Sequence, residues 1–237
     1  MDLKEQEAIG DQIDSHWYYT SKAQMMADHI RRLTGGVPVK RVMDVGAGAG
    51  WFSRWMLREG LAETAVCVDP GYDRDWEELE AGRRLIFQRM QDGQGADLVL
   101  MMDVLEHVPD DAALLSSYLD VVAPGTPVFI TVPAFQFLWS GHDVYLEHYR
   151  RYTLSRLKQT IGNAGAQADV MHYYFGAIFP AAAAVRLARR GNQATQSDMG
   201  AVPGPVNAAL KMICGAERRI MRINRLAGLS AVALCRR

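Results

Sequence analysis

A strand that runs directly into a glycine-alternating loop, and from there into a helix, constrains this fold more than any other feature. The stretch VMDVGAGAGWFS puts Gly46, Gly48 and Gly50 at alternate positions, after the apolar run 41–45 and before a helical pattern over 51–59. Glycine tolerates positive φ and lets a ligand approach the main chain. Ligands of open α/β sheets bind beyond the carboxyl ends of strands, at such a turn. A dinucleotide loop wants a third glycine in G-x-G-x-x-G, and that position is Trp51, so the pattern fails. Asp44, two residues before the first glycine, suits a cationic ligand better than a pyrophosphate.

Around this loop, strand and helix signals alternate. Strands are expected at 41–45, 65–68, 85–89, 97–102, 127–132 and 168–175, with a last one at 230–235. Helices are expected at 22–34, 51–59, 75–81, 110–122 and 153–163. The runs LVLMM and VFITV lack alternation, as befits strands covered on both faces. The expectation is an α/β, doubly wound, seven-stranded and mostly parallel sheet. One domain, 1–237, would carry an N-terminal helical cap over 1–40. A helical insertion over 177–229 would precede the last strand.

On these residues, 41–132 resembles the class I S-adenosylmethionine-dependent methyltransferases. The resemblance implies S-adenosylmethionine as cofactor, with its methionine part wrapped by Asp44, Gly46, Ala47, Gly48 and Gly50. AVCVDPGY ends its strand in Asp69, where a carboxylate can accept from both ribose hydroxyls, and the resemblance implies that role. Pro70 would lie near the adenine, and Asp92 in IFQRMQDG would meet its amino group. In ADLVLMMDVLEHVPDD, the resemblance places Met102, Asp103 and Val104 beside the sulfonium. Glu106 and His107 lead toward the next helix; the resemblance implies that His107 caps and orients the loop, with a catalytic role as the alternative.

The segment after the fifth expected strand, TVPAFQFLWSGHDVYLEHYRRYT, is long, aromatic and ionisable, and long loops at that sheet edge are usually functional. Its pattern W-S-x-H-D…H-x-R-R-Y resembles a bacterial methyltransferase subgroup (type 11/12-like) of tailoring enzymes. Transfer to oxygen needs a proton acceptor, often His near neutral pH. His142 is the first candidate base, with Asp143 as its orienting partner, and His148 the second. Arg150 and Arg151 are candidates to hold a carboxylate or phosphate. Trp139, Tyr152, Tyr18 and Tyr19 complete the candidate substrate residues. The alternative is a lid whose polar groups bond one another and cap the helix at Thr153.

Charge is uneven. The net charge is −1, yet 176–237 holds ten basic residues against two acidic ones. Residues 206–226 combine apolar and arginine positions, as a basic amphipathic helix on an anionic membrane would. Packing on the domain or on another subunit would use the same pattern. The substrate expected is therefore a small molecule or a lipid- or glycan-linked acceptor, with peripheral membrane contact through 177–226. Cys67, Cys214 and Cys235 show no metal or disulfide spacing, and no carboxylate cluster points to a metal, so none is expected. No N/D-P-P-Y/F motif or Pro-Cys pair is present, which argues against a nucleic-acid substrate. The polar start MDLKEQEAIGDQ shows no signal peptide, so a cytoplasmic location is expected. The competing function is a non-catalytic S-adenosylmethionine-binding or membrane-associated interaction module on the same fold.

Overall fold

The computed structural model describes residues 10–91, 95–188, 200 and 202–237. Asp92, the expected adenine contact, lies outside them. Among the described residues, eight strands form one sheet in the order β3-β4-β2-β1-β5-β6-β8-β7. They are β1 Val39–Val45, β2 Ala62–Val68, β3 Trp76–Glu80, β4 Arg83–Gln88, β5 Leu98–Met102, β6 Val128–Pro133, β7 Gln167–Tyr174 and β8 Ser230–Arg236. The central pairs β4–β2, β2–β1, β1–β5 and β5–β6 are parallel, and β8 runs antiparallel to both β6 and β7. This is the doubly wound sheet expected, with one strand more.

The helices are α1 Trp17–Thr34, α2 Trp51–Arg58, α3 Asp111–Leu119, α4 Gly141–Tyr145, α5 Leu154–Asn163, α6 Phe179–Ala188 and α7 Gly204–Glu217. Every residue of β5 is buried, because both sheet faces are covered. Val42 packs in one core with Met25, Met26, Phe52 and Met56 from α1 and α2. Its neighbours Met43 and Val45 pack in the other, with Leu115 and Leu157 from α3 and α5. The period-two alternation of β1 thus joins the two layers.

The added strand corrects the expected helix over 75–81. Trp76–Glu80 pairs antiparallel with β4 across a two-residue turn at Ala81 and Gly82, with φ 52° and 76°. Positive φ at both positions is the hairpin geometry that matches strand twist. Trp76 stacks on its cross-strand partner Phe87 at 4.1 Å, and Arg84 donates twice to Glu77 at 2.7 and 2.8 Å. Inward-facing Glu80 is held by Arg54 and Arg58 of α2 at 3.1 and 2.9 Å.

Helix α1 begins five residues earlier than expected. The His16 side chain caps it by accepting from the Tyr18 amide, and Gly35, in the left-handed conformation, ends it. The helix is locked to β7 by two buried imidazoles, His29 and His172, whose Nε2 atoms are 2.8 Å apart. The Nδ1 of His172 lies 2.9 Å from the Tyr173 carbonyl and so donates to it, which assigns the shared proton to His29. Burial depresses His29 to about 3 and His172 to about 4. Both are neutral when folded and take protons near pH 6.5 when unfolded, so stability falls as pH drops below 6.5. The expected loss at pH 5 is about 2 kcal/mol per imidazole. Urea midpoints at pH 7 and pH 5 measure it, and His29→Leu should flatten the slope. An unchanged slope in that variant would refute the assignment.

The insertion between β7 and β8 also differs from expectation. The helix expected over 206–226 ends at Glu217. The Asn224 carbonyl then accepts from the Tyr173 amide at 2.9 Å, and Met221 is buried, which pulls 218–229 onto β7. Helix α7 packs on α1, where Arg218 forks onto Asp28 at 2.8 and 2.9 Å. No helix of the described residues is long and apolar enough to cross a membrane.

Candidate active site

Backbone strain locates the site before any side chain does. Five non-glycine residues among those described have positive φ. Ala81 is the hairpin turn already described. Asp103, Phe135 and Phe175 follow the carboxyl ends of β5, β6 and β7, and Glu147 lies in the loop after α4. Such conformations persist where the surrounding structure over-determines them, and they cluster at ligand sites.

The glycine loop lies on the same rim, between β1 and α2. Gly46, Gly48 and Gly50 have φ of 62°, 54° and 71°. A Cβ on Gly46 would meet Val104 at 2.9 Å, and one on Gly50 would meet Cys67 and Phe87 at 2.9 and 3.0 Å. Asp69, at the tip of β2, accepts from the Gly48 and Gly71 amides, both at 2.9 Å. The Tyr72 hydroxyl donates to the Gly48 carbonyl at 2.5 Å. Pro70 is exposed beside it, while Ala47 and Met102 are buried. Asp44 lies beneath the loop, 2% exposed, and accepts from the Ser53 hydroxyl at 2.8 Å. Burial pushes its carboxyl up to about 6. Gly46, Gly48, Gly50, Asp44, Asp69, Asp103 and Val104 therefore lie together on one rim. A cradle closed to side chains and edged by carboxylates fits a cationic sulfonium nucleoside.

Sequence reasoning missed the strongest charge in this rim. Lys22 of α1 has a fully buried side chain, and its ammonium donates to Asp103 and, at 3.1 Å, to the Tyr18 hydroxyl. Burial alone would lower the Lys22 pKa, but the Asp103 carboxylate and Tyr18 outweigh it and hold the ammonium charged. The other Asp103 oxygen accepts from the Thr131 hydroxyl at 3.1 Å. The signal was present in the sequence: Lys22 shares a helical stripe with Tyr18, Met25 and Met26.

In the loop after β6, Asp143 is the hub. It is wholly buried and accepts twice from Arg151, at 2.7 and 2.8 Å, and once from the Ser140 amide at 2.9 Å. His148 Nδ1 lies 2.9 Å from the same carboxylate. Burial would raise the Asp143 pKa, but His148, Arg151 and Ser140 hold it well below the usual carboxylate range. Asp143 thus orients His148, the second candidate base. His142 is buried at the start of α4, its ring 6.4 Å from that of His148.

Four expected substrate residues also have structural partners. Arg151 is 3% exposed and spends its guanidinium on Asp143 and the Ala134 carbonyl. Arg150 donates to the Pro109 carbonyl at 2.6 Å and pairs with Asp111 at 3.2 Å. Tyr152 is buried and donates to Asp111 at 2.7 Å, because its strand-like segment bridges to Ala134. Tyr19 is 2% exposed and packs edge-on against Trp51. Tyr18 and Trp139 remain half-buried, Tyr18 being stacked on Phe175 at 5.1 Å. An aromatic rim that sequence reasoning did not single out, Phe135, Phe137 and Phe179, joins the loop to α6, and Phe137 is exposed.

Glu106 and His107, in the turn Leu105–His107 after β5, approach His148, with one ligand atom from each within 4.8 Å of the others.

Residues 18–169 match the family described as methyltransferase domain. The ubiquinone biosynthesis O-methyltransferase of Aeromonas salmonicida is 35% identical over 113 residues, which are 44% of this chain and 48% of that protein. The chain thus spans about half the length of the curated relatives it matches. A sarcosine dimethylglycine methyltransferase structure from Galdieria sulphuraria superimposes with TM-score 0.55 at 13% identity, over 92% of this chain and 86% of that one. An S-adenosylmethionine dependent methyltransferase structure from Mesorhizobium loti gives 0.54 at 13%, over 92% and 100%. These two likenesses show the fold.

Proposed function

The chain belongs to the methyltransferase-domain family, with S-adenosylmethionine as its cofactor, and from that premise we propose that it is an enzyme that methylates an oxygen of a small-molecule or lipid- or glycan-linked acceptor. The observation that carries this reading is the meeting of two features on one sheet edge: the carboxylate-edged glycine cradle and an imidazole cluster. The W-S-x-H-D…H-x-R-R-Y loop supplies that cluster, in keeping with the tailoring subgroup it resembles. The 35%-identical relative from Aeromonas salmonicida is named an O-methyltransferase, which supports oxygen as the atom.

S-adenosylmethionine supplies the methyl group. Asp69 would accept from the ribose hydroxyls, and the glycine loop would hold the methionine part. Displacement in line demands alignment above all, so the chain's task is to fix the acceptor against that cradle. Tyr18 borders it through Lys22 and Asp103, and Trp139, Phe135, Phe137 and Phe179 are the side chains this reading offers to an apolar acceptor. On this reading His142, with His148 as the second candidate, would take the proton from the acceptor hydroxyl. Arg150, Arg151, Tyr152 and Tyr19 serve the architecture through the bonds and packing described above.

A lipid-linked acceptor is favoured by one edge of the insertion. Ile220, Ile223 and Leu226 are 63%, 79% and 89% exposed, while Met221 between them is fully buried. Arg219, Arg222 and Arg225 recur at the same spacing of three and are exposed. Exposed apolar and cationic side chains thus alternate along 219–226, around the short 3₁₀ turn Met221–Ile223. Such an edge suits the headgroup region of an anionic bilayer, from the cytoplasmic side.

The test pairs calorimetry with label transfer. Wild-type protein should bind S-adenosylmethionine, pass label to hydroxylated compounds in lipid extracts, and sediment with phosphatidylglycerol vesicles more than with phosphatidylcholine. No binding of the cofactor would sink the whole reading. Binding without transfer to any extract would favour a non-catalytic module.

A further inference from the structure

We propose that Glu106, His107 and His148 form a divalent transition-metal site that holds and activates the acceptor oxygen. Two imidazoles and one carboxylate, each with a ligand atom within 4.8 Å of the others, converge at the carboxyl end of β5. A buried carboxyl group normally has a partner. Glu106 is 0% exposed, and neither of its carboxyl oxygens has a hydrogen-bond partner among the described residues. A cation between these three groups is the partner that this placement lacks.

The surroundings match what metal-binding imidazoles require. A ligating histidine usually gives its other ring nitrogen to a carboxylate, which fixes the ring and its tautomer. Asp143 does this for His148 Nδ1, at 2.9 Å, and leaves Nε2 as the ligand atom. Arg151 and the Ser140 amide fix Asp143 in turn. The two ligand-bearing segments are tied together by the Tyr149 amide, which donates to the Glu106 carbonyl at 2.7 Å. The rings of His107 and His148 meet edge-to-face at 4.6 Å. This is a held arrangement and not a chance meeting of surface side chains.

Three protein ligands leave coordination positions open, as catalytic sites do. Nitrogen and oxygen donors in this ratio suit Zn²⁺, Mn²⁺ or Fe²⁺ over Mg²⁺ or Ca²⁺. The substrate class follows: an acceptor with one hydroxyl, or two adjacent oxygens, to complete the coordination. Its hydroxyl would lose its proton to His142 or solvent at neutral pH because the cation stabilises the oxyanion, and His148, as a ligand, would then no longer serve as base. That oxygen's lone pair forms the new bond to the methyl carbon as the carbon–sulfur bond breaks. The bonding pair stays on sulfur, which leaves a neutral thioether. The inference rests on the reading of this rim as the acceptor site.

The test uses untagged full-length protein and Co²⁺ alone. One Co²⁺ per chain should bind, with visible d–d absorption that Zn²⁺ abolishes. E106Q, H107A and H148A should each weaken binding at least ~30-fold, while S-adenosylmethionine affinity, measured on the same samples, stays within ~3-fold of wild type and reports the fold. Co²⁺ binding equal in wild type and in the H107A/H148A double variant would overturn the site. Full methylation of a hydroxylated acceptor after chelation would overturn its role and leave O-methylation standing. Stoichiometric Co²⁺ lost in these variants, in a protein that methylates no oxygen acceptor, would support the site and refute the acceptor proposed above.

Discussion

Lys22→Met is expected to lower the free energy of unfolding by about 3 kcal/mol. Removing one partner of a buried ion pair typically costs ~3–5 kcal/mol, because the other charge is stranded. The low end applies here because Asp103 keeps 29% of its side chain open to solvent, whereas Lys22 keeps none. The stranded carboxylate would retain only the Thr131 hydroxyl, at the end of a residue already held at φ 57°. At roughly 2–4 °C per kcal/mol for a chain of this size, the melting temperature should fall by about 10 °C. Asp103→Asn added to the same chain removes the stranded charge and should recover at least half of the loss. The double-mutant cycle then reads the pair directly. A single-variant loss under 1 kcal/mol would mean that solvent, and not Lys22, satisfies Asp103.

The parallel strands, the glycine loop and Asp69 were legible because each is a local statement. An apolar run, a turn residue and a fixed spacing are all contained within a dozen positions. Strand β3 was not legible, because its pattern is inverted. Leu79 points outward at 70% exposure while Glu80 turns inward to Arg54 and Arg58, so WEELE carries no hydrophobic alternation for a strand. The Ala81-Gly82 turn is also not one of the dipeptides that announce a hairpin. The loop after β6 was legible as a cluster but not as a wiring diagram. Nothing in HDVYLEHYRR says that Asp143 faces His148 and Arg151, since that depends on how the chain reverses after α4. Glu106 and His107 were visible in LEHV. Their convergence on His148, about forty residues later, is a product of the β5–β6 pairing and of the Tyr149–Glu106 backbone bond. The arginines of the insertion were legible as charge, but only packing shows that Arg218 is consumed by Asp28 while three others face solvent.

The second large effect belongs to Asp69. Asp69→Ala should weaken S-adenosylmethionine binding by about 100-fold in calorimetry. Hydrogen bonds to a charged partner contribute ~1.5–3 kcal/mol each, and 1.4 kcal/mol is tenfold in affinity, so even one lost ribose hydroxyl bond exceeds tenfold. The same carboxylate accepts from the Gly48 and Gly71 amides at 2.9 Å, so its loss also frees the loop on which the methionine part rests. The two contributions separate by substitution. Asp69→Asn keeps one oxygen to accept from the Gly48 amide and should lose less, about 10–30-fold, with Tm close to wild type. Gly46→Ala attacks the loop without touching the carboxylate. A φ of 62° costs an alanine ~1–2 kcal/mol, and its Cβ would press on Val104 at 2.9 Å, so about tenfold weaker binding is expected. A ribose role predicts that Asp69→Ala discriminates between S-adenosylmethionine and its 2′-deoxyribose analogue less than wild type does. Equal discrimination in both proteins would reduce Asp69 to a brace for the glycine loop.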